Sequence, residues 1–141
     1  MCGIAGVVRY SSNQQSIDLD KLNRLRDSMA HRGPDGAGTW ISENGRAGLA
    51  HRRLAVVDPT PEADQPLLNN SKTLSLTFNG EIYNHIELRE ELIAEGVGDW
   101  QTSHSDSEVL LKAFEHWGID CISRFRGMFA FSIWDSVKQE L

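Results

Sequence analysis

Little in this 141-residue chain supports a scaffold held by covalent links or metal. It has two cysteines, Cys2 and Cys121. Two cannot build a disulfide framework, and neither belongs to a C-x-x-C pair. The five histidines lack the H-E-x-x-H spacing that puts two ligands on one helical face, so no metal site is expected. G-x-x-x-x-G-K-[ST] and G-x-G-x-x-G are both missing, so no cradle for nucleotide phosphates is visible. No apolar run approaches the ~18–20 residues that span a bilayer. Positive charge is also in deficit: Lys+Arg 14 against Asp+Glu 20 gives a formal net charge of −6. This balance argues against nucleic acid or an anionic membrane as the partner. The opening Met1-Cys2-Gly3-Ile4-Ala5-Gly6-Val7-Val8 has no basic stretch and is too short for a signal-peptide core. The cytosol is the expected compartment.

What remains is an ordinary globular composition, 40% hydrophobic with 12 glycines. A chain of this length can bury ~68–70% of its unfolded surface around one core. The first eight residues read as a buried strand, residues 11–16 as a polar loop, and Asp18–Ala30 as a helix. Asp18 caps that helix, and Leu22, Leu25 and Met29 form its apolar stripe. His31–Gly36 breaks it with consecutive turn residues. Thr39–Ser42 and Ala47–Val57 read as strands joined by an Asn44-Gly45 type I′ turn. Asp58–Asn70 reads as a surface loop. Leu74–Phe78 reads as a strand ending at Asn79-Gly80.

Two capping boxes follow, Asn84-x-x-Glu87, with Tyr83 and Leu88 as a hydrophobic staple, and Ser105-x-x-Glu108. They open helices with stripes Leu88/Leu92/Ile93 and Val109/Leu110/Ala113/Phe114/Trp117, closed near Gly96 and Gly118. Gly127–Trp134 is an apolar strand. This order predicts an α+β fold, antiparallel sheet with helices packed on it.

Cys2 calls for explanation. Cytosolic chains beginning Met-Cys generally lose Met1, because the processing peptidase accepts small second residues. Cys2 would then carry a free α-amine beside its thiol. The thiolate is a good nucleophile, and an α-amine of pKa ~7.7–8.0 can act as a base near neutral pH. The arrangement is the sulfur counterpart of a threonine activated by its own terminal amine. A cysteine at position 2 can equally be just a small residue.

Further motifs appear in a fixed order: His31-Arg32-Gly33-Pro34-Asp35-Gly36, His51-Arg52-Arg53-Leu54-Ala55-Val56-Val57-Asp58, Phe78-Asn79-Gly80-Glu81-Ile82-Tyr83-Asn84, Ser105-Asp106-Ser107-Glu108 and Gly127-Met128-Phe129-Ala130-Phe131. With Met-Cys-Gly-Ile-Ala-Gly at the start, they resemble the class II glutamine amidotransferase domain, the N-terminal-nucleophile glutaminase. The resemblance is strongest to the glutaminase half of glutamine-hydrolysing asparagine synthetase, and it runs the length of the chain. It implies a four-layer αββα sandwich of the N-terminal-nucleophile hydrolase type.

The resemblance also implies roles. Cys2 attacks the side-chain amide of L-glutamine, and its amine passes the proton to the leaving ammonia. Asn79 and Gly80 form the oxyanion hole, an Asn-Gly pair that could otherwise be a plain turn. Arg53 takes the substrate α-carboxylate, for which a guanidinium fork is suited. Arg52, its strand neighbour, should face solvent. The pocket lining continues through Leu54, Ala55, Val56 and Val57. Asp106, with Glu81 nearby, takes the α-ammonium, although a carboxylate in a first helical turn needs no site to explain it. His31, Arg32 and Asp35 read as structural. His85, His104 and His116 read as exposed or structural, and Cys121 as a small buried residue.

The sequence ends on Asp135–Leu141, read as a strand, a turn and the start of a return strand. The family's glutaminase domain continues with further strands and then an ATP-using synthetase domain. The chain is therefore expected to be truncated at the C-terminus, and an open edge at Gly127–Trp134 is expected with it. ATP and Mg²⁺ belong to that missing synthetase domain, acting in cis or trans, and the parent can be a homodimer. The Ser-Gly-Gly-x-Asp-Ser type of motif is absent. Aspartate is the default ammonia acceptor, and a sugar or peptide carboxylate is compatible with the same glutaminase half. A non-catalytic remnant serving as an interaction module is the competing reading. The set Cys2, Arg53, Asn79, Gly80 and Asp106 favours the enzyme.

Overall fold

A computed structural model describes residues 2–10 and 16–141. The expected polar loop at 11–16 falls almost wholly outside the described residues. The elements are β1 (Gly3–Val8), α1 (Leu19–Asp27), β2 (Gly36–Ile41), β3 (Ala47–Arg53), β4 (Leu67–Leu68), β5 (Leu74–Ile82), α2 (His85–Ala94), α3 (Asp106–Trp117) and β6 (Gly127–Asp135). Short 3₁₀ turns lie at Pro61–Ala63 and Gly118–Arg124. Two antiparallel sheets form, β1-β3-β2 and β4-β5-β6. β1 and β3 face β5 across the gap between the sheets, α1 covers the outside of the first sheet, and α3 packs on β5 with α2 beside it.

The three interfaces of this α/β/β/α stack each hold an apolar cluster. Ile17, Leu22 and Ala50 pack between α1 and the first sheet. Ala47, Leu49 and Trp134 fill the space between the sheets. The largest cluster joins β5 and β6 to α2 and α3 through Leu76, Ile82, Leu92, Val109 and Leu110. At ~25 cal/mol per Å² of apolar surface buried, these clusters are the main stabilising term. Among the described residues no helix is long and apolar enough to cross a membrane.

Asp18 caps α1 as expected, accepting the Asp20 and Lys21 amides at 3.0 and 3.1 Å. Several other expectations are corrected. Helix α1 ends at Asp27, and Leu25 is exposed because one turn, centred on Leu22, is enough to seat this short helix. Ile93 is exposed for the same reason on α2, where Leu88 and Leu92 are buried. In the β2–β3 turn only Gly45 has a positive φ, 67°. Its amide donates back to Ser42 at 2.8 Å, so this is not the type I′ turn expected.

Neither capping box forms. Asn84 spends its side chain on the Arg124 carbonyl and the Arg126 amide, at 3.0 and 2.8 Å, and Tyr83 is exposed rather than stapled to Leu88. Glu108 reaches past Ser105 to the Gln101 and Thr102 amides, at 2.7 and 2.8 Å. Asp58–Asn70 is not a surface loop throughout: Asp58, Ala63, Gln65 and Asn69 are buried.

Two strand ends differ in ways that shape the cleft described below. β3 stops at Arg53, four residues before Val57, because its partners run out: β1 reaches Arg52 and β2 reaches Arg53. β5 runs straight through Asn79-Gly80 to Ile82, pairing Asn79 with Ala130 and Gly80 with Phe129. Gly80 has φ +156°, and a Cβ there would sit 2.3 Å from the Met128 carbonyl. The missing side chain lets β6 lie alongside, so the Asn-Gly pair is strand and not turn. β6 forms the free edge of its sheet among the described residues, and a bridge from Asp135 to Glu140 starts the return expected there.

Candidate active site

One open cleft is lined by every residue to which the resemblance gives a catalytic or glutamine-binding role: Cys2, Arg53, Leu54, Ala55, Val56, Val57, Asn79, Gly80, Glu81 and Asp106. It lies where the end of β3 and the start of β1 meet the far half of β5 and the first turn of α3. Cys2 sits just ahead of β1, half-buried. Its thiol donates to the Leu54 carbonyl at 3.8 Å and accepts the Leu54 amide at 3.4 Å, so Leu54 sets the direction of the sulfur. Arg32 holds the backbone of the same residue, donating from Nε to the Cys2 carbonyl at 3.0 Å.

Arg32 and Asp35, read from the sequence as structural, tie the His31–Gly36 turn to its neighbours. Asp35 accepts the Ala55 amide at 2.9 Å. Gly33 approaches so closely that a Cβ would lie 2.4 Å from the Arg52 carbonyl. Arg52 corrects the sequence reading: instead of facing solvent it donates to the Gly33 carbonyl at 2.9 Å and pairs with Asp27 at 3.6 Å.

Arg53 is buried. Its Nη1 donates to the Asp64 carboxylate and, at 2.9 Å, to the Thr60 carbonyl. Its Nη2 donates to the Asp58 carbonyl. The loop after β3 therefore folds around the guanidinium, which leaves the Nε proton and one Nη2 proton for a ligand. Val56 and Glu81 lie on the exposed rim.

Across the cleft, Asn79 Oδ1 is buried without a hydrogen-bond partner. An oxygen only accepts, so this atom suits an N–H or O–H of a bound ligand, and the donor of the same amide is its Nδ2. Asp106 is buried, and loss of solvent pushes its carboxyl above the usual aspartate range. The Ile82 amide, donating to it at 3.1 Å, works against that rise. The cleft thus brings together a guanidinium, a carboxylate, a thiol and a side-chain amide. This suits a small ligand bearing both a carboxylate and an ammonium. Among the described residues no cluster of three His, Cys, Asp or Glu side chains could hold a metal ion.

The sequence reading missed Asp58, Gln65, Tyr83, Ser107 and Met128, which also line the cleft. The one signal for Gln65 was its place beside Pro66 in a segment otherwise read as loop.

Residues 1–141 match the model of a family described as glutamine amidotransferase domain. Amidase chry2 of Gibberella zeae is 34% identical over 100% of this chain and 22% of its own length. The glutamine-hydrolysing asparagine synthetase 1 of Bacillus subtilis is 41% identical over 96% of this chain and 21% of its own. The Arabidopsis thaliana asparagine synthetase 1 is 42% identical over 96% and 22%. The chain therefore spans about a fifth of these relatives. A solved glutamine phosphoribosylpyrophosphate amidotransferase of B. subtilis shares the fold, with TM-score 0.69 and 23% identity over 96% of this chain and 35% of that one. The chain belongs to the glutamine amidotransferase domain family and is homologous to the glutaminase half of glutamine-hydrolysing asparagine synthetases.

Proposed function

We propose that this domain hydrolyses the side-chain amide of L-glutamine through a thioester on Cys2 and supplies the ammonia to a synthetase domain. The observation that carries the reading is the meeting of the Cys2 thiol, the Asn79-Gly80 pair, Arg53 and Asp106 in one cleft. Glutamine binds with its α-carboxylate on the free protons of Arg53 and its α-ammonium on Asp106. The thiolate adds to the amide carbon. The resulting oxyanion takes hydrogen bonds from the Asn79 side chain and the Gly80 N–H, each such donor worth ~10²–10³ in turnover. The Cys2 α-amine, freed by loss of Met1, carries the thiol proton to the leaving nitrogen. Ammonia departs, and water then attacks the γ-glutamyl thioester to give glutamate and regenerate the thiol.

Residues 1–141 are the glutaminase unit of this scheme. In a longer parent the ammonia goes to a carboxylate activated with ATP and Mg²⁺ in a synthetase domain outside this chain. The asparagine synthetase relatives support aspartate as the acceptor. The test is glutamine-dependent glutamate release by the full natural protein. Cys2→Ala abolishes it and leaves any reaction driven by free ammonia intact. Retention of glutaminase activity in that variant overturns the proposal.

A further inference from the structure

We infer that His51 and Gln65 are positioning residues that set Asn79 against Cys2 by holding the backbone of Phe78. The inference rests on the glutaminase reading for its catalytic consequence, and on geometry alone for the placement.

β4 pairs with β5 through Leu67↔Leu76 and Leu68↔Ser75 and goes no further. Continuing that register would bring residue 65 opposite Phe78. The Asn69 amide donates to the Leu74 carbonyl at 3.2 Å. In antiparallel pairing every second pair exchanges hydrogen bonds, so Asn69/Leu74 and Leu67/Leu76 do so, and Gln65/Phe78 would be next. Phe78 therefore presents an N–H and a C=O toward a strand that is not there. The Gln65 carbonyl is unable to serve, because it turns onto β2, where a Cβ at Gly38 would lie 1.9 Å from it.

Two side chains fill the gap. Gln65 Oε1 accepts the Phe78 amide at 2.6 Å, and His51 Nε2 lies 3.1 Å from the Phe78 carbonyl. A carbonyl can only accept, so Nε2 carries the proton. Both side chains are buried.

The two anchors come from different layers. His51 belongs to β3 in the first sheet, two residues before Arg53 and three before Leu54, whose amide aims the Cys2 sulfur. Phe78 belongs to β5 in the second sheet, and its C=O shares a peptide unit with the Asn79 N–H. The His51–Phe78 bond therefore joins the nucleophile wall to the oxyanion wall across the gap between the sheets. Its loss would leave Arg53 and Asp106 in place to bind glutamine while misplacing the oxyanion donors. Displacements of about 1 Å can cost ~10² in rate.

The test uses His51→Leu, which keeps bulk and removes the donor, and His51→Gln, whose amide can donate from a similar reach. Expected for His51→Leu is a kcat for glutamine hydrolysis about 10–100-fold lower with KM within about threefold. His51→Gln should recover most of the loss. Equal turnover in His51→Leu and wild type, a loss confined to KM, or no recovery in His51→Gln overturns the catalytic consequence. The placement is read separately by NMR on the same proteins. His51→Leu should shift the Asn79 amide nitrogen, and Gln65→Met should speed exchange of the Phe78 amide proton. Unchanged signals overturn the placement. Absence of Cys2-dependent hydrolysis in the wild type overturns the glutaminase reading and the catalytic consequence together, and leaves the NMR result to decide the placement.

Discussion

The Asp106 carboxylate accepts the Ile82 amide at 3.1 Å, so the first turn of α3 is tied to the last residue of β5 beside the cleft. Burial pushes the Asp106 carboxyl upward, so the ionised form is the less comfortable one in the fold. Asp106→Asn keeps an oxygen for the Ile82 amide and drops the charge. Its stability in urea should therefore equal or exceed that of the wild type, while KM for glutamine rises tenfold or more, ~1.4 kcal/mol per decade. Asp106→Ala strands the buried amide and should cost ~1–3 kcal/mol of stability as well. Urea midpoints and glutamine saturation curves separate the two. Equal KM in Asp106→Asn and wild type removes Asp106 from the substrate site.

Arg53 should tolerate lysine worse than a simple substrate ligand would. Its fork holds the Asp58 and Thr60 carbonyls and the Asp64 carboxylate, and a lysine offers no planar fork. Arg53→Lys should raise KM for glutamine tenfold or more and open the 58–64 loop to proteolysis. Arg52→Lys loses a bond to Gly33 and should leave KM nearly unchanged. Indistinguishable kinetics in the two variants would move the carboxylate site away from Arg53.

The layers of the fold are legible in the sequence because apolar spacing and turn residues mark where strands and helices exist. Their ends are not, because ends depend on partners. Ala47–Val57 ends in the apolar run Leu54–Val57, yet β3 stops where β1 and β2 stop pairing with it. Asn79-Gly80 carries a turn signal, yet β6 claims it as strand. Cleft residues are legible where an unusual residue type sits inside a motif, as with Cys2 and Arg53. Gln65 and His51 are not, since their work lies in contacts to Phe78, 13 and 27 residues away in sequence.

His51 should leave a mark on the pH dependence of stability. Burial, with help from the Arg53 charge and against the Phe78 bond and Asp64, pushes its pKa from 6.5 down to about 4. Between these values the unfolded chain takes up a proton that the folded chain refuses. Stability is therefore complete above 6.5 and falls as pH drops toward 4, by as much as ~3 kcal/mol. The raised Asp106 carboxyl acts in the opposite sense as pH falls toward its ordinary value of 3.8, so the histidine is read as the difference between wild type and His51→Leu, which both keep Asp106, from neutrality down to about pH 4. Urea midpoints over that span should fall in the wild type and fall less in His51→Leu. Parallel curves would show that His51 titrates alike in both states.

The two thiols should react very differently. Cys121 is fully buried, and burial followed by the Asp120 charge pushes its thiol up to about 11. The thiolate is the reactive form, so Cys121 should be inert. Cys2 lies open to the cleft. A glutamine-shaped electrophile should modify Cys2 alone, glutamine should protect it, and Cys121→Ser should change neither result. Peptide mapping that finds the label on Cys121 would overturn the assignment of the nucleophile.

Removal of Met1 should matter as much as the thiol itself. With Met1 attached, the Cys2 nitrogen is an amide, without the lone pair that takes a proton near neutral pH. A free α-amine has a pKa of ~7.7–8.0, close enough to neutrality to accept the thiol proton and release it to ammonia. The backbone of Cys2 is fixed by Arg32 at its carbonyl and its sulfur by Leu54, so this nitrogen cannot be traded for another group without moving both. Met1-retaining protein should therefore release no glutamate even with Arg53, Asn79, Gly80 and Asp106 intact. The two forms are separated, verified by intact mass and assayed side by side in the full natural protein. Equal glutamine turnover by both would show that the α-amine is not the base.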